Sequence, residues 1–245
     1  SVNLAIFDVD GTLTATSDVD SECFVQAIGE VLGIRQLDTD WSHYHHSTDP
    51  GIINQICSEQ FGTAPDDATL IAVRDQFIEL LRDRMQIAPE RYEEVPGAAS
   101  ALYRLRNERD WAIAIASGAW RGSARIKLQS AGISPAGFAS VFADESLSRE
   151  GIIQLAITRA LARYQQARFE RIVSIGDAVW DARAARGLGL PFVGVGDGSG
   201  RNRLLDEGAS HVISNFVDFD GLLKCLDEAT VPNQISSLDL TDRQS

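Results

Sequence analysis

Leu4-Ala5-Ile6-Phe7-Asp8-Val9-Asp10-Gly11-Thr12 is the stretch on which the reading of this chain turns. An apolar run closed by a glycine turn predicts a strand buried on both faces, the kind found in parallel sheets flanked by helices. Asp8 and Asp10 then leave the carboxyl end of that strand, the edge at which open α/β sheets bind ligands. An isolated Asp-x-Asp-Gly equally suits an N-cap and turn opening the next helix. The rest of the chain has to separate the two.

Beyond Thr12 the apolar period becomes helical. Phe24, Ile28, Val31 and Leu32 share one face, with Asp20 or Ser21 as the expected cap and Gly33 as the stop. The polar and aromatic stretch Trp41 to Gly51 reads as a loop. Ile52, Ile53, Ile56 and Phe61 mark a second helix, and Leu70, Val73, Phe77, Leu80 and Leu81 a third between Asp66 and Ile87. Helical pattern without a strand signal, placed directly after the first strand, predicts a separate helical domain over residues 15–91.

From Pro96 onward strand and helix alternate. Strands are expected at Trp111–Ala116, near Val141, at Arg171–Gly176, at Phe192–Val195 and at His211–Ile213. This alternation predicts an α/β fold, a doubly wound and mostly parallel sheet built from residues 1–14 and 92–230 with the helical domain inserted. Val193 to Gly200 is rich in glycine but lacks the G-x-G-x-x-G spacing and follows a late strand, so it reads as a flexible turn. Residues 231–245, with few apolar side chains, read as a flexible tail.

Composition excludes several functions. With 22 basic and 35 acidic residues the formal charge is −13, which argues against a nucleic-acid binder. Cys23, Cys57 and Cys225 are widely spaced and odd in number, so neither a disulfide framework nor a zinc site is expected. No stretch approaches the ~20 apolar residues of a membrane span, and a cytoplasmic location is the default expectation.

Three of the expected strands end in polar groups: Asp8 and Asp10, then Ser117 and Gly118, then Asp177 followed by Asp181. In a parallel sheet these ends share one edge. The i, i+4 spacing puts Asp181 one helical turn beyond Asp177 on the same face. Crowded carboxylates repel one another, and an oxygen-seeking divalent cation resolves the repulsion. Mg²⁺ suits a site of a few carboxylates plus phosphate oxygens.

In order and in placement, Asp8-Val9-Asp10-Gly11-Thr12, Ser117-Gly118 and Gly176-Asp177 with Asp181 resemble the first, second and fourth motifs of the haloacid dehalogenase superfamily of aspartate-dependent phosphohydrolases. The helical insert is similar to that superfamily's C1 cap, as in its phosphoglycolate phosphatase and β-phosphoglucomutase branch. The resemblance implies a Rossmann-like core and a Mg²⁺-dependent phosphatase acting on a small phosphorylated metabolite. Asp8 would be the nucleophile that forms an aspartyl-phosphate, and Asp10 the general acid and then base. Gly11, Thr12, Ser117 and Gly118 would hold the phosphate. Asp8, the Asp10 backbone carbonyl, Asp177 and Asp181 would surround the metal.

One position departs from the pattern. Where the family's third motif usually supplies a lysine, this chain has Ser148-Arg149-Glu150-Gly151, and Arg149 becomes the candidate phosphate-binding cation. Neither lysine, Lys127 or Lys224, falls at that place. His43, His45 and His46 stand in the loop before the second helix, where they would read a leaving group, hold a metal, or simply be solvated. A phosphomutase of the same fold and a catalytically silent binding module are the alternative functions. Oligomeric state is not legible in the sequence.

Overall fold

The structure is a computed structural model that describes residues 1–108 and 110–233. Six parallel strands form one sheet: β1 (Asn3–Phe7), β2 (Trp111–Ala116), β3 (Ala139–Val141), β4 (Ile172–Gly176), β5 (Phe192–Val195) and β6 (His211–Ile213). Their order is β3-β2-β1-β4-β5-β6, the doubly wound Rossmann-like order, in which the direction of winding reverses between β1 and β4. Phe7 is registered against Ile115 on one side and Ile175 on the other, so Asp8 and Asp177 emerge close together at that switch point.

Side chains on successive strand residues face opposite sides, and each side has its own core. Ala5 and Phe7 pack in the cluster covered by α4 (Ala98–Asn107), α5 (Arg121–Ser130) and α9 (Phe219–Glu228). Leu4 and Ile6 pack against α6 (Arg149–Arg163) and Ala184 of α7 (Val179–Leu188). Every residue of β2 is buried, as expected for a strand covered on both faces.

Between β1 and β2 the chain forms α1 (Ser17–Leu32), α2 (Asp49–Phe61) and α3 (Asp67–Ile87). These helices close around a separate apolar cluster that includes Phe24, Ile28, Ile53, Val73, Phe77 and Leu81. Trp120, from the loop after β2, joins the same cluster, its ring centroid 6.2 Å from that of Phe77 and 6.3 Å from that of Phe24. The outgoing and returning segments pair with each other: the Ala15 N–H donates to the Glu93 carbonyl at 2.9 Å and the Val95 N–H to the Leu13 carbonyl at 3.0 Å.

Four sequence expectations are corrected. Helix α1 starts at Ser17 rather than near Asp20. Thr16 stands at its N-cap position, but its hydroxyl bonds to Asp10 instead of capping. Asp49-Pro50-Gly51 is the first turn of α2, capped by Thr48, rather than loop. Phe61 is 57% exposed and does not belong to the apolar face of α2. The glycine-rich turn after β5 ends at Gly198, where α8 (Gly198–Asp206) begins. Gly198 and Gly200 hide that helix from propensity reasoning, and the burial of Leu204 against Phe192 and Ala185 supplies what propensity lacks.

Cys23 and Cys57 are buried, Cys225 is half-buried, and all three are free. Among the described residues no helix is long and apolar enough to cross a membrane. Of the expected tail, residues 234–245 lie outside the described residues.

Phe77 is fully buried where α3 meets α1 and Trp120. Phe77→Ala is expected to destabilise the protein by about 3–5 kcal/mol, read as a lower midpoint in urea unfolding followed by tryptophan fluorescence.

Candidate active site

The site is assembled from strand ends. Asp8 directly follows β1, its N–H donating to the Ile175 carbonyl at 3.0 Å. Asp177 directly follows β4, and Asp181 lies in the first turn of α7, where its Oδ2 accepts the Ala178 N–H at 3.1 Å. One oxygen from each of Asp8, Asp177 and Asp181 lies within 4.8 Å of the others. Asp8 thus shares one pocket with Asp177 and Asp181, which lie far along the chain, because parallel strands end at one edge.

The turn after Asp10 is shaped by Gly11. Its φ is +75°, and a Cβ there would stand 2.0 Å from Asp177 Oδ2, so both the backbone and the space require glycine. Thr12 is buried and donates to Asp177 Oδ1 at 3.3 Å. On the other side of Asp8, Ser117 and Gly118 follow β2. A Cβ on Gly118 would lie 2.5 Å from Arg149 Nε, so the guanidinium rests on a bare backbone.

Arg149 is the cation of the trio. Its Nη1 lies 3.2 Å from both Asp8 Oδ1 and Asp181 Oδ1, and its Nε donates to the Ser47 carbonyl at 2.9 Å. One guanidinium does not offset three carboxylates, two of them buried and one half-buried. Burial, then the charge of Asp181, push the Asp8 carboxyl up to about 7 against the pull of Arg149. Burial and the charges of Asp181 and Asp8 raise Asp177 well above the usual carboxylate range. Burial also raises Asp181, with Arg149 opposing. An all-oxygen set of crowded acids with excess negative charge fits a hard divalent cation.

Asp10 points elsewhere. Its Oδ1 accepts from the Thr16 hydroxyl at 2.6 Å and its Oδ2 from Lys127 Nζ at 2.7 Å. Lys127, fully buried in α5, also meets Asp20 Oδ1 of α1 at 2.6 Å. Burial would lower the lysine, but Asp10 and Asp20 outweigh it and its ammonium is held above the usual range. Burial and the charge of Asp10 raise Asp20 to about 6, against Lys127. The sequence placed Lys127 in the helix after the second motif and gave it no part in the site. Spacing cannot show that a lysine two turns into that helix reaches back to Asp10. A lysine at a position that the helical period marks as inward is the signal that was available.

The segment before α2 touches the core through residues other than its histidines. The Thr48 hydroxyl donates to the Leu147 carbonyl at 2.7 Å, the Asp49 N–H to the Gly118 carbonyl at 2.8 Å, and the Trp120 N–H to Asp49 Oδ2 at 3.1 Å. Burial, then Asp20, raise the Asp49 carboxyl well above its ordinary value. His43 pairs instead with Asp38 at 2.6 Å on the surface, and the His45 and His46 rings face each other 4.4 Å apart. A cavity of about 510 Å³ opens above Asp8 and is lined by Asp10, Ser117, Gly118, Arg149 and Asp177, with Asp20, Phe24 and Trp41 opposite. None of the three histidines lines it.

A doubly wound parallel sheet with paired acids at its switch point and a helical insert over them defines an α/β enzyme. A family model for haloacid dehalogenase-like hydrolases matches residues 2–189, and the chain belongs to that family. No curated protein sequence matches it. Among solved structures it is similar to a hydrolase from Pseudomonas syringae, with 22% identity, a TM-score of 0.71 and coverage of 94% of this chain and 100% of that one. It is also similar to CbbY from Rhodobacter sphaeroides in complex with phosphate, with 19% identity, a TM-score of 0.66 and coverage of 93% and 100%. A substituted CbbY in complex with xylulose-1,5-bisphosphate aligns at 18% identity and a TM-score of 0.65, covering 89% and 96%. At such identities the structures attest a shared fold.

Two outcomes follow from the charges. Asp8 and Asp177 bind protons more tightly folded than unfolded, where the carboxylate value is near 3.8. The stability this confers is complete below that value and is lost as pH rises through about 7. Metal-free protein should therefore show a falling Tm from about pH 5 to about pH 8, and saturating Mg²⁺ should flatten the slope by binding the ionised acids. Removing the buried ammonium leaves Asp10 and Asp20 unpaired. Lys127→Met should destabilise by about 3–5 kcal/mol in urea unfolding, with part of the loss recovered in the Asp20→Asn/Lys127→Met double variant.

Proposed function

We propose that this hydrolase is a Mg²⁺-dependent phosphatase that cleaves a small phosphomonoester through a phosphoryl group carried on Asp8. The convergence of Asp8, Asp177 and Asp181 within 4.8 Å, beside Arg149, is the observation that supports it most directly. Asp8, Asp177 and Asp181, with the Asp10 backbone carbonyl, would hold the metal, which offsets charge on the transferring phosphoryl group.

A carboxylate oxygen of Asp8 attacks phosphorus as the bond to the ester oxygen breaks. Asp10 gives its proton to the departing alkoxide, for which its carboxyl turns from Lys127 toward the cavity it already lines. Asp10 then takes a proton from water, the water oxygen attacks phosphorus, and the bond to Asp8 breaks to release phosphate. Arg149, the Ser117 hydroxyl and the Gly118 N–H hold the phosphoryl oxygens, with Gly11 and Thr12 shaping the turn beside them. Residues 15–91 act as a cap over the pocket, and their contacts through Thr48, Asp49 and Trp120 keep bulk water from the phosphorylated Asp8.

Release of phosphate from p-nitrophenyl phosphate tests this reading. Wild-type protein should turn over with Mg²⁺ and stop with a chelator, and Asp8→Asn should lose about 10³-fold or more, as expected for a nucleophile. Full activity in Asp8→Asn overturns the assignment. A sugar bisphosphate converted to an isomer without free phosphate would instead identify a phosphomutase.

A further inference from the structure

Both carboxyl oxygens of Asp10 are held. Oδ1 accepts from the Thr16 hydroxyl at 2.6 Å and Oδ2 from Lys127 Nζ at 2.7 Å. Thr14 Oγ1 lies 2.6 Å from Thr16 Oγ1, and because Thr16 spends its single hydroxyl proton on Asp10, Thr14 is the donor between them. Both threonines are buried. A directed line of hydroxyls thus runs along the segment that enters the cap and ends on the acid.

Lys127 reaches the same carboxyl from the core. It stands two turns into α5, flanked by Ala124 and Leu128, which pack in the core cluster, and its side chain is wholly buried. Its other bond, 2.6 Å to Asp20 Oδ1, is to the first helix of the cap. Asp10 and Asp20 both line the cavity, whereas Lys127 does not. A buried ion network is no more stabilising than apolar side chains of the same volume, so stability alone does not account for a lysine at this place.

The geometry accounts for it. With Lys127 and Thr16 both bonded, a single orientation of the Asp10 carboxyl is held at the edge of the cavity. When Asp10 turns toward the leaving oxygen, Lys127 keeps Asp20 as its partner, so the turn leaves no buried ammonium unpaired. Without Lys127, Asp10 would keep only the bond to Thr16, and Asp20 would act on it as an uncompensated like charge.

Resting on the phosphatase reading, we propose that Lys127 is a positioning residue for Asp10, anchored from the cap by Asp20. It fixes the carboxyl whose proton passes to the ester oxygen as the bond from that oxygen to phosphorus breaks. Its effect is therefore greatest on esters whose alcohol is a poor leaving group.

Phenyl phosphate and p-nitrophenyl phosphate, assayed with Mg²⁺, provide the test. Nitrophenolate departs readily without a proton, whereas phenolate needs one. The constant kcat/KM covers the steps up to that departure, so the later work of Asp10 on water does not enter it. Lys127→Met should lower kcat/KM for phenyl phosphate about tenfold or more beyond its effect on p-nitrophenyl phosphate. Asp10→Asn should do the same, and combining the two changes should move the ratio of the esters no further. In Asp20→Asn/Lys127→Met the urea midpoint should partly recover while the altered ratio persists, which separates orientation from stability and serves where Lys127→Met alone does not fold. A wild-type ratio in either Lys127 variant, or shifts that add in Asp10→Asn/Lys127→Met, overturns the proposal and leaves the phosphatase reading standing. A wild-type ratio in Asp10→Asn removes the acid role from Asp10 and the proposal with it. No hydrolysis of either ester by the wild-type protein overturns both.

Discussion

Three carboxyl groups, those of Asp8 and Asp181 buried and that of Asp177 half-buried, crowd together beyond the ends of β1 and β4 around one arginine, and this imbalance of charge organises the molecule around it. Asp8, Asp177 and Asp181 would repel one another too strongly to remain ionised in a dry pocket with Arg149 alone, which is why the first two hold protons so tightly. A parallel sheet makes the crowding unavoidable, because it delivers every strand's carboxyl end to one edge. The same crowding gives the site its chemistry. A group of acids held in excess of local positive charge fits a hard cation, which in the proposed mechanism offsets the charge of a phosphoryl group that the acids alone would repel.

The cap is attached through this electrostatic centre as well as through apolar packing. Arg149 holds the Ser47 carbonyl with the same guanidinium that meets Asp8, and Lys127 ties Asp20 of α1 to Asp10, two residues beyond Asp8. Asp49 is bonded through both its N–H and its carboxyl to the loop carrying Ser117 and Gly118. Phe24 and Phe77 enclose Trp120 nearby. The groups proposed to act on phosphate are therefore bonded directly to the groups that position the cap, so the closure of the pocket and the orientation of its side chains are coupled.

Much of this was legible in the chain. The apolar run before Asp8 and the later alternation of strand and helix led to the parallel Rossmann-like sheet with its helical insert, because burial on both faces imposes a run of apolar residues that few other environments require. The stretch from Asp197 to Gly200 was misread, since glycine lowers helix propensity while the contact that stabilises α8 is made by Leu204 with residues of α7 and β5. The start of α1 was displaced for a related reason. Asp20 and Ser21 were the expected caps, but the helix begins a turn earlier with Thr16 at its N-cap position, the hydroxyl taken by Asp10 across a turn that no periodicity reveals.

The sequence by itself determined which chemistry was available: paired acids after a buried strand, a serine and glycine after the next, two further acids after another, and arginine where lysine is usual. Those features are local, fixed by residue type and by spacing within one strand, turn or helix. Only the tertiary structure decided which groups meet. It brought Lys127 to Asp10 and Asp20, set Asp49 against Trp120, and left the histidines outside the cavity. The reason is that a side chain's charge acts over a few ångströms of space whatever the separation along the chain, and those distances exist only once the sheet and the cap are packed.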